Sequence, residues 1–274
     1  MTPPGSPFSP ILPTMDESFT AFWAVIAGLL GAAFGSFGNV VIHRVPRGQS
    51  LARPPSSCPS CGSRIRSVDN IPIASYVLLR GRCRSCGARI SARYAIVEAA
   101  AAGLAVASVL RFGAGEWAAF AALASIVLLV LAAIDLEHRR LPNVIVLPAT
   151  AVAAVWILVR ATVDGEWAKA GEAVLCGAGA FGLLFVIAVV SRGMGFGDVK
   201  LAGFIGLVAG SFGWRVAVLA VFASFMLGGF AAVALLIIGK KGRKEAIPFG
   251  PYLAAGAVMA IFAGEGPVRS WLGG

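Results

Sequence analysis

Long apolar segments recur along almost the whole chain, and short polar segments separate them. A helix needs about 20 apolar residues to cross the hydrocarbon core of a bilayer. Eight such segments are predicted near 20–42, 94–111, 117–135, 142–160, 170–190, 199–212, 214–238 and 248–264. The sixth is short and rich in glycine, so we expect it to be tilted or partly unwound. The pattern predicts an all-α polytopic membrane protein with about eight transmembrane helices.

The composition supports this interpretation. Hydrophobic residues make up 58% of the chain and charged residues only 13%, which excludes an ordinary water-soluble domain. Residues 1–19 are rich in proline, contain Asp16 and Glu17 and have no lysine or arginine. This start lacks the basic region of a cleaved signal peptide, so the first transmembrane helix, 20–43, is predicted to be retained after a short N-terminal tail.

The basic residues are distributed unevenly, and their distribution predicts the orientation in the membrane. Residues 44–93 contain ten arginines and one acid, Asp69. Further basic residues follow the third, fifth and seventh apolar segments. Because lysine and arginine are kept preferentially on the cytoplasmic side, both termini are predicted to be periplasmic. Topology and attraction to anionic lipid explain the net charge of +10, so nucleic-acid binding is not predicted.

Four cysteines in the 44–93 loop form two matching pairs. Cys58 and Cys61 are followed after 21 residues by Cys83 and Cys86, and a glycine follows each pair. This spacing is typical of a tetrahedral structural zinc site, and a loop this small needs such a staple. All four ligand positions would come from protein, so the zinc is not expected to be catalytic. Redox-active dithiols or two disulfides are the alternative, disfavoured in the cytoplasm. Cys176 is interpreted as a small apolar residue at a helix contact.

Two aspartates lie at the edges of apolar segments, where an ionisable residue is a functional candidate by default. Asp135 ends the third segment and Asp198 follows the fifth, so the predicted topology puts both at the cytoplasmic edge. Two carboxylates brought within a few ångströms share one proton, so one acts as an acid while the other activates water. Each aspartate alone has a simpler interpretation as a helix-end residue near arginine.

Three glycines precede Asp198, namely Gly193, Gly195 and Gly197. They disfavour a stable helix end, so we expect open backbone there that pairs with an extended peptide. A flexible turn between helices is the simpler interpretation. No strand precedes these glycines, which argues against a dinucleotide-binding loop.

Several short motifs occur in an order that resembles the type IV prepilin peptidase family. They are Gly35-Ser36-Phe37, Asn39 to Arg44, the two cysteine pairs, Asp69-Asn70-Ile71-Pro72, Gly81-Arg82-Cys83, Arg93-Tyr94 with Glu98, Ile134-Asp135, Gly195 to Leu201 and Pro248-Phe249-Gly250-Pro251. The resemblance runs from about residue 30 to 255. One departure is Pro142-Asn143, where many members of the family have Pro-Asp.

The resemblance implies a bifunctional enzyme of the bacterial inner membrane. It implies cleavage after a glycine in type IV prepilins or pseudopilins, followed by N-methylation of the new N-terminus with S-adenosylmethionine. By position, the catalytic pair corresponds to Asp135 and Asp198, and Gly81 is associated with methyl transfer. Gly195, Gly197 and Lys200 are assigned to substrate and loop support. No oligomeric state is predicted.

The predicted organisation has four parts. A periplasmic tail (1–19) and the first helix (20–43) precede the zinc-binding loop (44–93), which is associated with methyl transfer, and 94–274 form the peptidase domain. Two other functions remain open from the residues alone. One is a zinc-stabilised membrane adaptor without catalysis, and the other is a transporter that uses carboxylates as proton sites, which the position of the acids at one membrane face disfavours.

Overall fold

The computed structural model describes residues 17–191, 194–237 and 248–264, and this part of the chain is helical apart from turns and two isolated β-bridges. Its helices are α1 (Glu17–Arg44), α2 (Ala74–Leu78), α3 (Ala92–Phe112), α4 (Glu116–His138), α5 (Asn143–Asp164), α6 (Trp167–Ser191), α7 (Phe196–Ser211), α8 (Trp214–Ile237) and α9 (Gly250–Ala263). The eight long helices fall where the apolar segments predicted them, which confirms the all-α fold class. Gly193 and residues 1–16 of the predicted N-terminal tail lie outside the described residues, and residues 17–19 belong to α1.

Not every long helix is able to cross a bilayer on its own. Among the described residues, six helices are long and apolar enough to do so: α1, α3, α4, α5, α6 and α8. The other two, α7 and α9, have 16 and 14 residues. The predicted count of eight is therefore approximate, and the polytopic character is confirmed.

The glycine-rich sixth segment is the continuous helix α7, not the partly unwound segment that we expected. Its glycines allow close packing against α6, because a Cβ at Gly206 would lie 2.5 Å from the backbone oxygen of Cys176. A Cβ at Gly210 would lie 2.6 Å from the Cβ of Cys176. Small residues let helix backbones approach closely in lipid, so glycine stabilises this helix through tertiary packing. Cys176 is a small residue at a helix contact, as predicted.

The chain divides into two compact units, and the division falls inside α4, between Val130 and Leu131. In the N-terminal unit, α1 packs on α3 through glycines: a Cβ at Gly31 would lie 2.6 Å from the Ala101 oxygen. The segment between these two helices carries α2 and the four cysteines. In the C-terminal unit, α7 is buried along most of its length among the other helices. The N-terminal unit contains the four cysteines, and the C-terminal unit contains Asp135 and Asp198.

Candidate active site and metal centre

Asp135 and Asp198 lie at the same end of the C-terminal unit. Asp135 is in the last turn of α4 and is 5% exposed, while Asp198 is in the first turn of α7 and is 9% exposed. The two carboxylates are close enough to interact electrostatically. The fold therefore brings together two buried acids that are more than 60 residues apart in the sequence. Two carboxylates that repel each other do not both ionise readily.

A backbone amide at the start of α9 fixes the position of Asp135. The N–H of Gly250 donates to Asp135 Oδ2 at 3.0 Å. The first N–H groups of a helix have no partner inside the helix, so they are natural donors to an anion. A Cβ at Gly250 would lie 2.7 Å from the same oxygen. Only glycine lets the backbone approach this carboxylate so closely.

The segment before Asp198 differs from the open backbone that we expected. Gly195 is extended and caps α7, which begins at Phe196, so Gly197 already lies inside the first turn. A Cβ at Gly197 would lie 3.0 Å from the Leu141 side chain, and one at Gly195 would lie 3.4 Å from Asp198 Oδ2. Gly197 therefore leaves room for the Leu141 side chain, and the helix begins directly after Gly195.

Lys200 lies in α7, about one turn after Gly197. Its Nζ donates to Asn143 Oδ1 at 2.9 Å and lies 5.1 Å from the centre of the Phe196 ring. The contact joins the beginning of α7 to the beginning of α5. Asn143 departs from the family pattern noted in the sequence, and its amide oxygen accepts a hydrogen bond from the lysine.

The cysteine pairs of the N-terminal unit form two turns of the same geometry. In the first, the N–H of Gly62 donates to the Cys58 oxygen at 2.9 Å, and in the second Gly87 donates to the Cys83 oxygen at 2.9 Å. Both glycines have a left-handed backbone, with φ of 70° and 72°. Side chains other than glycine are disfavoured in this conformation. The glycine after each pair is therefore needed for the turn that directs the thiols inward.

The four sulfur atoms fit a tetrahedral metal ion. All four lie within 4.8 Å of one another, and the Sγ atoms of Cys58 and Cys86 are 3.9 Å apart. Four thiolates around one zinc, with Zn–S bonds of about 2.3 Å, would be separated by about 3.8 Å. The cluster therefore matches the predicted ligand set, and the described residues supply all four ligands.

Hydrogen bonds prepare some of these thiols for metal binding. Ser63, through its side chain and its backbone N–H, lowers the pKa of Cys61 to about 6. Backbone N–H groups of Cys86 and Ser85 lower the pKa of Cys83. The backbone at Ala88 also lowers the pKa of Cys86, but the Cys61 sulfur and desolvation outweigh it and raise that pKa to about 11. Because the pKa of Cys86 is raised, a cation is needed to hold this residue as a thiolate.

Gly81 lies in the turn that follows α2. It has a φ of 65°, and its N–H donates to the Tyr76 oxygen at 2.9 Å. The ring of Tyr76 lies 3.0 Å from the position that a Cβ would occupy. Both the backbone conformation and the tyrosine therefore require glycine at this position.

Two family models match the chain in succession. The model of the bacterial peptidase A24 N-terminal domain matches residues 29–112, and that of the type IV leader peptidase family matches residues 122–233. The chain belongs to the type IV leader peptidase family. This membership makes it a peptidase with methyltransferase activity in a multi-pass membrane protein, which excludes the adaptor and transporter hypotheses.

Several curated proteins are similar to this chain over most of their length. A prepilin leader peptidase/N-methyltransferase of Pseudomonas putida is 35% identical over 89% of this chain and 92% of its own. Proteins of the same name from Pseudomonas aeruginosa and Aeromonas hydrophila are 34% and 32% identical over similar shares. No solved structure matches the chain.

Three residues at these sites had no role in the sequence analysis. Gly250 supplies the N–H group that holds Asp135, and the sequence signal was a glycine between two prolines at the start of an apolar segment. Asn143 was noted only as a departure from the family pattern, yet it binds Lys200. Glu98 was part of a quoted motif, and it is an acid inside an apolar helix of this leader peptidase.

Proposed function

We propose that this leader peptidase cleaves type IV prepilins or pseudopilins after a glycine and uses Asp135 and Asp198 as its catalytic pair. The observation that carries the proposal is the pairing of these two buried carboxylates at one end of the C-terminal unit. The names of the similar proteins support prepilins as the substrate class. The basic segments support an orientation with both termini in the periplasm and cleavage at the cytoplasmic face of the inner membrane.

The proposed reaction needs one proton between the two carboxylates. The ionised carboxylate accepts a proton from a water molecule, whose oxygen attacks the carbonyl carbon of the glycine. The protonated carboxyl group donates its proton to the carbonyl oxygen, and a tetrahedral intermediate forms. When the C–N bond breaks, a proton passes to the leaving nitrogen, which becomes the new N-terminus. The N–H of Gly250 keeps Asp135 oriented through these steps.

The cysteine cluster is proposed to hold zinc in a structural role. Cys58, Cys61, Cys83 and Cys86 would fill all four positions of the ion, so no position remains for a water molecule. Zinc would then fold the 44–93 segment, which has few other sources of stability. One of these is the ion pair in which Arg84 contacts Asp69 at 2.6 Å.

Methyl transfer is proposed to belong to the 44–93 segment, and peptide cleavage to the helices after it. S-adenosylmethionine supplies an electrophilic methyl group when it is bound, and the new N-terminal amine is the acceptor. The residues of the chain would hold the amine and the methyl donor together. The tight turn at Gly81 and Tyr76 supports a role for this segment, because it fixes the backbone without leaving space for a larger residue.

The catalytic pair can be tested by replacing each acid with its isosteric amide. Asp135→Asn and Asp198→Asn should each lower cleavage of a model prepilin in membranes by about 10²- to 10⁴-fold, the usual contribution of an acid or base catalyst. The mass of the substrate after incubation measures cleavage. Asp164→Asn is the matched control, because Asp164 lies at the C-terminal end of α5, where it forms an ion pair with Arg160. Full cleavage by either variant of the pair would end the assignment.

A further inference from the structure

Glu98 is a buried carboxylate in the N-terminal unit, distant in the sequence from the catalytic pair. It lies on α3 and is 8% exposed. The N–H of Ile73 donates to its Oε2 at 2.7 Å, and in the described part of the chain this is its one hydrogen bond. No lysine or arginine among the described residues forms an ion pair with it. A buried carboxylate without a cation is unfavourable, so this position favours binding of a positive group.

Asn39 lies on the facing helix α1, and the oxygen of its side-chain amide lacks a hydrogen-bond partner among the described residues. It is 2% exposed, and its Nδ2 donates to the Tyr94 oxygen at 3.0 Å. Because Tyr94 presents an acceptor, this bond fixes the orientation of the amide and identifies the other atom as Oδ1. Oδ1 is buried and has no hydrogen-bond partner within the described residues. A buried acceptor of this kind is rare and calls for a donor.

The packing of α1 on α3 brings these two acceptors towards each other. Gly35 meets the backbone at Glu98, where a Cβ would lie 2.8 Å from Glu98 Cα. One turn further along α1, Asn39 meets Tyr94, which lies one turn earlier on α3. The helices therefore run antiparallel at this contact. Side chains on a helix lean towards its N-terminus, so Glu98 leans towards the level of Asn39 and Asn39 leans towards the level of Glu98.

The segment that covers this position is also strained. Ile73 has a φ of 61°, which a β-branched residue rarely adopts, and the carboxylate of Glu98 accepts from its N–H. Helix α2 begins at the next residue and carries Tyr76, the residue that contacts Gly81. The turn associated with methyl transfer is therefore tied to the buried pair of acceptors through Ile73.

We propose that Glu98 and Asn39 form a binding site for a primary ammonium group. Such a group carries one positive charge and three N–H donors, which match one unpaired carboxylate and one unpaired amide oxygen. Two molecules of the proposed methyl transfer carry this group: the amino-acid part of the methyl donor and the new N-terminus of the cleaved chain. The inference rests on the proposed methyltransferase function and adds the residues that hold one of its substrates.

The test measures binding to the full-length enzyme in detergent micelles by calorimetry. One pair of probes is S-adenosylhomocysteine and its analogue without the amino group, and the other is a peptide of the mature N-terminus with a free or an acetylated amine. The wild-type enzyme should prefer the amine form of one pair by about 10- to 100-fold, the range of a charge-assisted hydrogen bond. The pair that shows the preference identifies the source of the ammonium group.

Glu98→Gln should abolish this preference without unfolding the segment, because the amide oxygen of glutamine can still accept from the N–H of Ile73. Zinc content and melting temperature report the fold, and Glu166→Gln, which alters an ion pair with Lys169, is the matched control. Should Glu98→Gln lose zinc, Asn39→Leu, of similar size but without the acceptor, takes its place and should weaken the same preference.

The outcomes separate this inference from the function on which it rests. If the wild-type enzyme cleaves a prepilin but transfers no methyl group to it, the proposed methyltransferase function fails. If the wild-type enzyme methylates and Glu98→Gln keeps its full preference for both amines, only the ammonium site is overturned. Loss of the preference for one amine, with zinc retained, supports the site.

Discussion

The two candidate centres are built in opposite ways. Four ligands from a stretch of 29 residues form the metal cluster, and two short turns are sufficient to direct their sulfur atoms to one point. The acid pair instead takes Asp135 from α4, Asp198 from α7 and a backbone N–H from Gly250, 115 positions beyond Asp135. The first centre therefore depends on local geometry, whereas the second depends on the packing of a whole helical unit.

Glycine shows the same contrast. Gly62 and Gly87 have left-handed backbones, and a Cβ there would meet nothing within 4 Å. Gly250 instead lies at the start of a helix, and a Cβ there would meet the carboxylate of Asp135. Glycine is thus needed in the two cysteine turns because of its conformational freedom, and beside the acid pair because of its small size. A substitution should reveal which of the two reasons applies.

Removal of the metal should have the largest effect on stability. This effect should be confined to the 44–93 segment, the metal loop. Structural zinc contributes on the order of 10 kcal/mol to the folding of small modules. Chelation or Cys86→Ser should therefore abolish protection of the Gly62 and Gly87 amides in hydrogen exchange, while amides of α7 stay protected. Cys176→Ser is the matched control, because this cysteine lies in α6 and should leave zinc bound. Loop protection that persists without metal would contradict a structural role.

A methyl group at Gly250 should damage the acid pair without affecting the loop. In Gly250→Ala the new Cβ would lie 2.7 Å from Asp135 Oδ2, so the carboxylate must move away from its N–H donor. We expect cleavage to fall by about 10- to 100-fold, since small misplacements of a catalytic group have large effects. Zinc content should stay unchanged.

Gly182→Ala provides the control for that substitution. Gly182 lies in α6, and a Cβ there would meet nothing within 4 Å. Cleavage assays of both variants on the same prepilin would show whether the carboxylate or general helix packing is responsible. Cleavage by Gly250→Ala at the wild-type rate would mean that the Gly250 contact does not position Asp135.

Loss of the ion pair between Asp69 and Arg84 should have the smallest effect, a slight change in the rate of zinc release. Hydrogen bonds from Arg84 lower the pKa of Asp69 below its ordinary value. A lowered pKa in the folded state means that the ion pair contributes fully above the ordinary aspartate pKa of about 3.9 and is lost as pH falls through the lowered value. Asp69→Asn should therefore speed zinc release slightly, by the same factor at pH 7 and pH 5.

Salt provides a second check on this ion pair. Arg84 is half exposed, with 53% of its side chain accessible, so added salt should screen the interaction. The difference between Asp69→Asn and the wild-type protein in zinc-release rate should shrink as the salt concentration rises. If this difference in zinc-release rate grows towards pH 5, or does not change with salt concentration, Asp69 does not act as a charged partner of Arg84.

Sequence reasoning reached the metal cluster more completely than the acid pair. The spacing of the cysteines and the glycine after each pair determine the geometry of the two turns. The set of four cysteine ligands could therefore be predicted from the sequence. The aspartates were predicted because an acid at the edge of an apolar segment is unusual. Their surroundings were not predicted, because Gly250 and Asn143 reach their partners only through helix packing.

The same limit explains the outcome for α7. A short segment with many glycines has low helix propensity, and this favoured the expectation of unwound backbone. In the folded unit the glycines at 206 and 210 allow α6 to pack closely, and this contact outweighs propensity. Local preference is a weak guide wherever a helix is surrounded by other helices.

The mass of the mature N-terminus of a prepilin co-expressed with the enzyme tests the central claim most directly, because one spectrum reports both cleavage and methylation. With the wild-type enzyme we predict a chain that is cut after the glycine and carries one added methyl group. With Asp198→Asn we predict the uncut precursor, and with Cys86→Ser a cut chain without the methyl group. A fully cut product from Asp198→Asn would contradict the assignment of cleavage to the acid pair.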